Sequence, residues 1–391
     1  MKQYFWLVSL VFLSFGLAGC DSAGADSNQV ATPAALAATT TPNAMPGMEH
    51  NMNSMDSDAV RLPPTLEAMP GMEHDMEATM NQSTPSMVGH NMAPISTEGV
   101  SLASDAQGGQ LLPFREEDGV KVFELTTQAV LWPILQGVTV TAYTYNGTVP
   151  GPMIRVTEGD RVRVIIKNEL PEPTTIHWHG ILVPNAMDGV PGVTQDPIQP
   201  GDSFTYEFTA APSGTFMYHS HFESDKQVMV GLYAPFIIDS PTAPTDPPDV
   251  DVTLMLSEWR LVGGQTFAAM PMTGMDPNYF TINGKAFPET ETITVKRGQR
   301  VRVRLAAIGQ AIHPMHLHGL PFKVVATDGY PVPAAAQLTK DTLNVAPGER
   351  YDIEFIASES GQWMLHCHIL HHTTNDGEEP GGLMLMVNIT E

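Results

Sequence analysis

The chain has 391 residues, with 43 acidic against 19 basic side chains and a formal net charge of −24. A protein that grips phosphates needs a basic face, so this balance excludes nucleic acid as a partner and favours cationic substrates or metal ions. The length allows two or three domains of ordinary size, and two cysteines are too few for a disulfide framework.

Lys2 precedes an apolar run from Tyr4 to Leu17, which closes on Leu17-Ala18-Gly19-Cys20. The run is too short to cross a bilayer and ends on small residues, which predicts a signal peptide over residues 1–20 rather than a membrane span. Its last four residues resemble a bacterial lipobox. The expectation is therefore a lipid anchor on Cys20 that ties the protein to a membrane of the bacterial cell envelope, facing the periplasm. With Cys20 so assigned, no disulfide to Cys367 is expected.

Residues 21–110 contain no aromatic side chain and are rich in Ala, Ser, Thr, Pro, Asn and Met. Such a segment buries too little apolar surface to offset its ordering entropy and reads as a disordered tether, with an end-to-end distance on the order of 50 Å. It carries a repeat, Met45-Pro-Gly-Met48-Glu-His50-Asn-Met52 and Met69-Pro-Gly-Met72-Glu-His74-Asp-Met76, and ten of the 23 methionines fall between positions 45 and 92. Thioether sulfur is a soft donor suited to Cu(I), so copper binding by the tether is the functional reading and a duplicated spacer the plain one.

Beyond the tether the pattern is all-β. Runs such as Arg161–Lys167 and Gln299–Leu305 alternate polar and apolar residues between turn signals, and no long helix is indicated. Four short histidine clusters punctuate these runs: His177-Trp178-His179, His219-Ser220-His221, His313-Pro314-Met315-His316-Leu317-His318 and His366-Cys367-His368. Two histidines separated by one residue on a strand point to the same side, so each cluster offers two imidazoles to one site. An ordinary core has no use for eight converging rings, whereas copper, zinc and iron do. Cys367, His313 and His372 form a cysteine and histidine pair of the blue copper type, which zinc would not require.

The two halves repeat one another. Tyr145-Asn146-Gly147 returns as Ile282-Asn283-Gly284, His177-Trp178-His179-Gly180 as His316-Leu317-His318-Gly319, and His219-Ser220-His221 as His366-Cys367-His368. The pattern predicts two antiparallel β-sandwich domains, residues 111–245 and 246–391, with the proline-rich stretch Pro241–Pro248 at their seam.

On these motifs residues 112–391 resemble a two-domain multicopper oxidase, the small laccase-like kind built from two cupredoxin Greek-key domains. The resemblance implies four coppers per chain: one type 1, which takes electrons from a reducing substrate, and one type 2 with two type 3, which reduce dioxygen to water. By motif, His177 and His316 hold type 2 copper; His179, His219, His221, His318, His366 and His368 hold the type 3 pair; and His313, Cys367 and His372 hold type 1. Cys367 lies between two cluster histidines, so the backbone itself joins the electron acceptor to the oxygen site. The resemblance also implies a homotrimer in which adjacent subunits complete the oxygen site, with pairing inside one chain as the alternative.

Three positions bear on chemistry and specificity. Ser220 stands where the second half has Cys367, so only the second domain is expected to carry type 1 copper. An insertion over Thr373–Gly381 leaves two candidates for its axial position: Met384 by its chemistry, Leu383 by counting back from the final strand. Asp188 matches an acidic residue near type 2 copper and is the candidate proton relay; the plain reading is an Asp-Gly turn. Three functions are compatible: oxidation of Cu(I) or another metal ion in copper tolerance, a general laccase acting on phenols and aromatic amines, and copper binding or storage without turnover.

Overall fold

The computed structural model describes residues 93–104, 107–272 and 274–391. The signal peptide, the Cys20 anchor and the methionine repeats lie outside the described residues. Strands dominate what is described, and its α-helix is the single turn Ser224–Gln227.

The pairing pattern is the same in both halves. In the first, Val120–Leu135 runs parallel to Arg161–Asn168, which pairs antiparallel with Ser203–Thr209; in the second, Val250–Val262 runs parallel to Arg300–Ala307, which pairs antiparallel with Arg350–Ile356. The facing sheets repeat likewise: Ile154–Thr157 lies parallel to Tyr233–Asp239, and Ile293–Lys296 parallel to Met384–Thr390. Even the Asn-Gly turns match. Asn146 and Asn283 adopt φ values of 53° and 50°, and their Oδ1 atoms accept from Thr126 N at 2.7 Å and Met255 N at 2.8 Å. Asparagine tolerates this left-handed conformation because its short amide bonds to nearby backbone.

Alternation supplies the cores. Val162, Val164 and Ile166 face Trp178, Phe216 and Phe236 in the first half, while Val301, Val303 and Leu305 pack with Met315, Leu365 and Val387 in the second. The first core extends across the seam to Met255, Trp259 and Ile308. Polar links cross it too: Trp132 Nε1 donates to Gly284 O at 2.7 Å, and Arg304 Nη1 donates to Thr215 Oγ1 at 2.6 Å.

One expectation needs correction. The composition of the tether extends to residue 110, but Ile95 is buried in the first core, its N–H donates to Thr266 O at 2.8 Å, and Ser101–Leu102 adds a parallel strand beside Val130–Leu131. A single well-seated apolar side chain and a few ladder hydrogen bonds order a segment whose average composition does not predict it.

Candidate metal centre

The strands His313–Leu317 and Gly361–Cys367 pair antiparallel, with Met315 opposite Cys367 and His316 opposite His366. Side chains alternate, so His313 and Cys367 share the inward face while His316 and His366 share the other. The chain then turns through Leu370–Thr373 and brings His372 back against Cys367. One ligating atom from each of His313, Cys367 and His372 lies within 4.8 Å of the other two, and all three residues are buried.

Burial governs their protonation. It pushes the Cys367 thiol up to about 12, with the charge of Glu258 adding to the effect, and pulls His372 down to about 3, with His313 adding. His372 is thus a neutral imidazole with Nδ1 3.5 Å from Cys367 Sγ, and the ring of Phe280 stacks on it at 4.2 Å. His313 Nε2 lies 2.6 Å from Glu258 Oε1, whereas its Nδ1 is buried without a hydrogen-bond partner. A carboxylate only accepts, so Nε2 is the donor to Glu258, and Nδ1, buried in the pocket, is the ring nitrogen left for a metal. That orphaned nitrogen, the second imidazole and the thiol fit a copper ion of the blue type.

The register places the two axial candidates on opposite faces. Met384 lies opposite His366, and Cys367 N donates to Leu383 O at 3.0 Å one residue further along. Leu383 packs in the same core as Cys367. Met384, the candidate favoured by its sulfur, therefore faces with His366, and Leu383, the candidate favoured by counting, lies on the side of the thiol.

The outward faces carry two sets of four imidazoles. In the first half His177 lies opposite His219, and ring centroids within the set are 5.3–5.8 Å apart, for example 5.4 Å from His177 to His221. In the second half His316, His318, His366 and His368 form the corresponding set, with centroids 5.0–5.8 Å apart and the Nε2 atoms of His318 and His366 at 2.9 Å. Four Nδ1 atoms face backbone carbonyls: His177 to Asp188 O at 2.9 Å, His219 to Ser220 O at 2.9 Å, His316 to Asp341 O at 2.9 Å and His366 to Cys367 O at 2.8 Å. A carbonyl cannot donate, so each of these rings carries a proton on Nδ1 and turns Nε2 toward the other imidazoles of its set, His219 Nε2 lying 3.2 Å from His179 Nδ1. Burial lowers His179 to about 4 and His219 to about 3, which keeps both neutral at physiological pH, and it also lowers His318 and His366. Among the described residues no ring contact joins the first set to the second.

The comparisons with known proteins agree with this geometry. Two multicopper oxidase family models match residues 126–243 and 265–377. A blue copper oxidase structure from Nitrosomonas europaea is 36% identical with a TM-score of 0.65, and the match covers 68% of this chain and 85% of that one. The chain belongs to the multicopper oxidases. It is also 33% identical over 258 residues to a multicopper oxidase from Mycobacterium tuberculosis, covering 57% of this chain and 49% of that protein. Copper resistance protein A from Escherichia coli is 30% identical over 260 residues, covering 54% of this chain and 42% of the relative. The chain thus spans about half the length of the curated relatives it matches.

In this multicopper oxidase Asp188 lies beside His177, with Oδ1 3.3 Å from His177 Nδ1 in addition to its carbonyl contact. Gly189 makes the approach feasible: its φ is 81°, and a Cβ there would lie 1.8 Å from Ile176 O. Three contributors escape the motif reading. Asp341 supports His316 as Asp188 supports His177, but no motif announces it. Glu258 is separated from His313 by 55 residues; its signal is the one charged side chain in the stretch Leu254–Trp259. Arg350 of the second half is buried, with Nη1 2.7 Å from Gly348 O, and its charge is one of the causes that lower His179.

Proposed function

We propose that this protein couples one-electron oxidation of Cu(I) at the His313–Cys367–His372 site to four-electron reduction of dioxygen at a trinuclear copper site. The observation that carries the reading is the buried His313–Cys367–His372 cluster, whose cysteine is bonded directly to His366 and His368. When bound, one type 1 copper would store single electrons and one type 2 with two type 3 coppers would deliver four of them to dioxygen. Four Cu(I) ions, one dioxygen and four protons balance four Cu(II) ions and two waters.

His177 and His316 are proposed to hold type 2 copper, and His179, His219, His221, His318, His366 and His368 the type 3 pair. Both sets stand complete on their own halves, which supports assembly of the oxygen site between adjacent subunits; a head-to-tail contact repeated around a threefold axis closes as a trimer. Asp188, one-third exposed beside His177, is placed to pass protons from solvent toward the oxygen site. Leu383, which packs in the same core as Cys367, is proposed to border the site that His313, Cys367 and His372 would form for type 1 copper. The proposed domain division at 245/246 follows the change from one strand set to its repeat, and the proposed location remains the periplasmic side of the cell envelope through Cys20.

Cu(I) is favoured over other donors by the surroundings of Glu258. A small cleft beside it is lined by Met229 and Met270, and Met272, two residues further along, is exposed. Soft sulfur suits a cuprous ion, and the negative charge of the buried Glu258 carboxylate behind it would favour a cation there. A phenolic donor is the second reading, supported by the exposed Ile312 and Leu370, which flank His313 and His372 in sequence. The experiment is to count copper in the purified protein and compare oxygen uptake with Cu(I), Fe(II), Mn(II) and a phenol. Four coppers per chain with uptake fastest on Cu(I) is the expected result. Copper without oxygen uptake would establish storage, and a faster phenol reaction would establish a laccase.

A further inference from the structure

The first half retains the outline of the type 1 pocket, filled by side chains that bind one another. Since His177 lies opposite His219 and His316 opposite His366, Thr174 takes the place of His313 and Ser220 that of Cys367. Gln227 ends the short helix after the cluster, as His372 lies in the turn after its own. Thr174, Ser220 and Gln227 are all fully buried. Thr174 Oγ1 donates to Gln227 Oε1 at 2.9 Å and Ser220 Oγ donates to the same oxygen at 2.5 Å. Gln227 Nε2 then donates to Glu172 Oε1 and Pro173 O, both at 2.8 Å. Every polar atom of the amide is used, so its orientation is determined.

We propose that Gln227 is a positioning residue for the first histidine set, and that its hydrogen bonds to Thr174 and Ser220 replace the bracing a type 1 copper would give in that half. The link to the oxygen site is short. Ser220 O accepts from His219 Nδ1, as Cys367 O accepts from His366 Nδ1, so whatever fixes residue 220 or 367 also sets the tautomer and direction of the preceding imidazole. In the second half three ligands converging on a metal would fix Cys367. In the first half the amide fixes Ser220, and Thr174 ties the segment leading to His177 to the same point.

The inference rests on the assignment of His219 to type 3 copper, and the test separates the two. Wild-type protein and the variants Gln227→Met and Ser220→Ala are loaded with copper, and copper content, blue absorption, near-ultraviolet type 3 absorption and melting temperature are measured. Gln227→Met should weaken copper retention at the trinuclear site by about 10–100-fold, seen as lost type 3 absorption, while the blue absorption per chain stays at the wild-type level. Ser220→Ala removes one donor and leaves the amide's other three bonds; it should show the same loss in smaller measure, and it serves if the glutamine variant does not fold. Type 3 absorption and copper content unchanged in Ser220→Ala and Gln227→Met would overturn the proposal. Parallel loss of blue and type 3 signals with a lowered melting temperature would also overturn it, because that is a general packing defect. Wild-type protein without type 3 absorption would refute the assignment of His219 instead.

Discussion

Glu258 Oε1 lies 2.6 Å from His313 Nε2, and both side chains are sealed from solvent. The contact sets the imidazole tautomer, and it places a carboxylate between the His313–Cys367–His372 pocket, the proposed type 1 site, and the methionine-lined cleft. Removing it in Glu258→Ala leaves His313 Nε2 unpartnered and the ring free to turn, so copper affinity at the blue site should fall by about 10–100-fold. Glu258→Gln keeps an oxygen that accepts from Nε2 but removes the charge. It should retain the blue absorption and lose turnover on Cu(I) more than on a neutral phenol. Copper competition titrations of the blue band and paired oxygen-uptake assays measure both effects, and an alanine variant with unchanged copper affinity would refute the orienting role.

The faces of Leu383 and Met384 make a second prediction. Leu383→Met introduces a thioether on the side of Cys367 and should lower the type 1 reduction potential, since the axial ligand tunes that potential. Met384→Leu changes a side chain on the His366 face and should leave the potential and the blue spectrum as they are. Potentiometric titration of the blue absorption decides between them. A fall in Leu383→Met with no change in Met384→Leu supports the register argument, and the reverse pattern would show that Met384 reaches the copper.

What could be read without coordinates follows the range of the interactions involved. Period-two alternation brings His177 beside His179 and His366 beside His368 on any strand, and a thiol between two such histidines is local information. Asp188 was legible as a residue, but the contact of its backbone carbonyl with His177 was not, because backbone acceptors leave no signature in side-chain identity. Glu258, Asp341 and Gln227 act through contacts that only the paired sheets create. The Leu383 and Met384 ambiguity arose from an insertion that shifts the count, and only the ladder to His366 gives their faces. Ile95 shows the converse: a polar stretch joins the body because one side chain finds a place in the core.

Ser220→Cys tests whether a thiol alone can create a second blue centre. Thr174 stands at the position that His313 holds in the second half, Gln227 is the side chain that fills the space beside Ser220, and neither supplies an imidazole. The variant should therefore bind no additional blue copper, and it loses the hydroxyl that donates to Gln227. Copper per chain and blue absorbance per chain should both stay at or below wild type. A doubling of the blue absorbance would show that the first half supplies nitrogen ligands from elsewhere.

The methionine-rich segment makes the last prediction. Residues 45–92 carry ten methionines, and a tethered array of soft donors raises the local Cu(I) concentration without altering the catalytic site. Deleting the segment from fully copper-loaded protein should therefore slow Cu(I) oxidation at low copper, with the deficit vanishing as copper is raised, and leave phenol oxidation near wild type. Replacing the methionines by leucine removes sulfur while keeping apolar bulk, so it should reproduce the deletion if sulfur is the active feature. Equal loss on both substrates would indicate a loading or folding defect, and no loss on either would reduce the segment to a spacer. The decisive comparison is the rate on Cu(I) divided by the rate on the phenol across a copper titration, because a defect in the oxygen site cancels from that ratio and a defect in substrate capture does not.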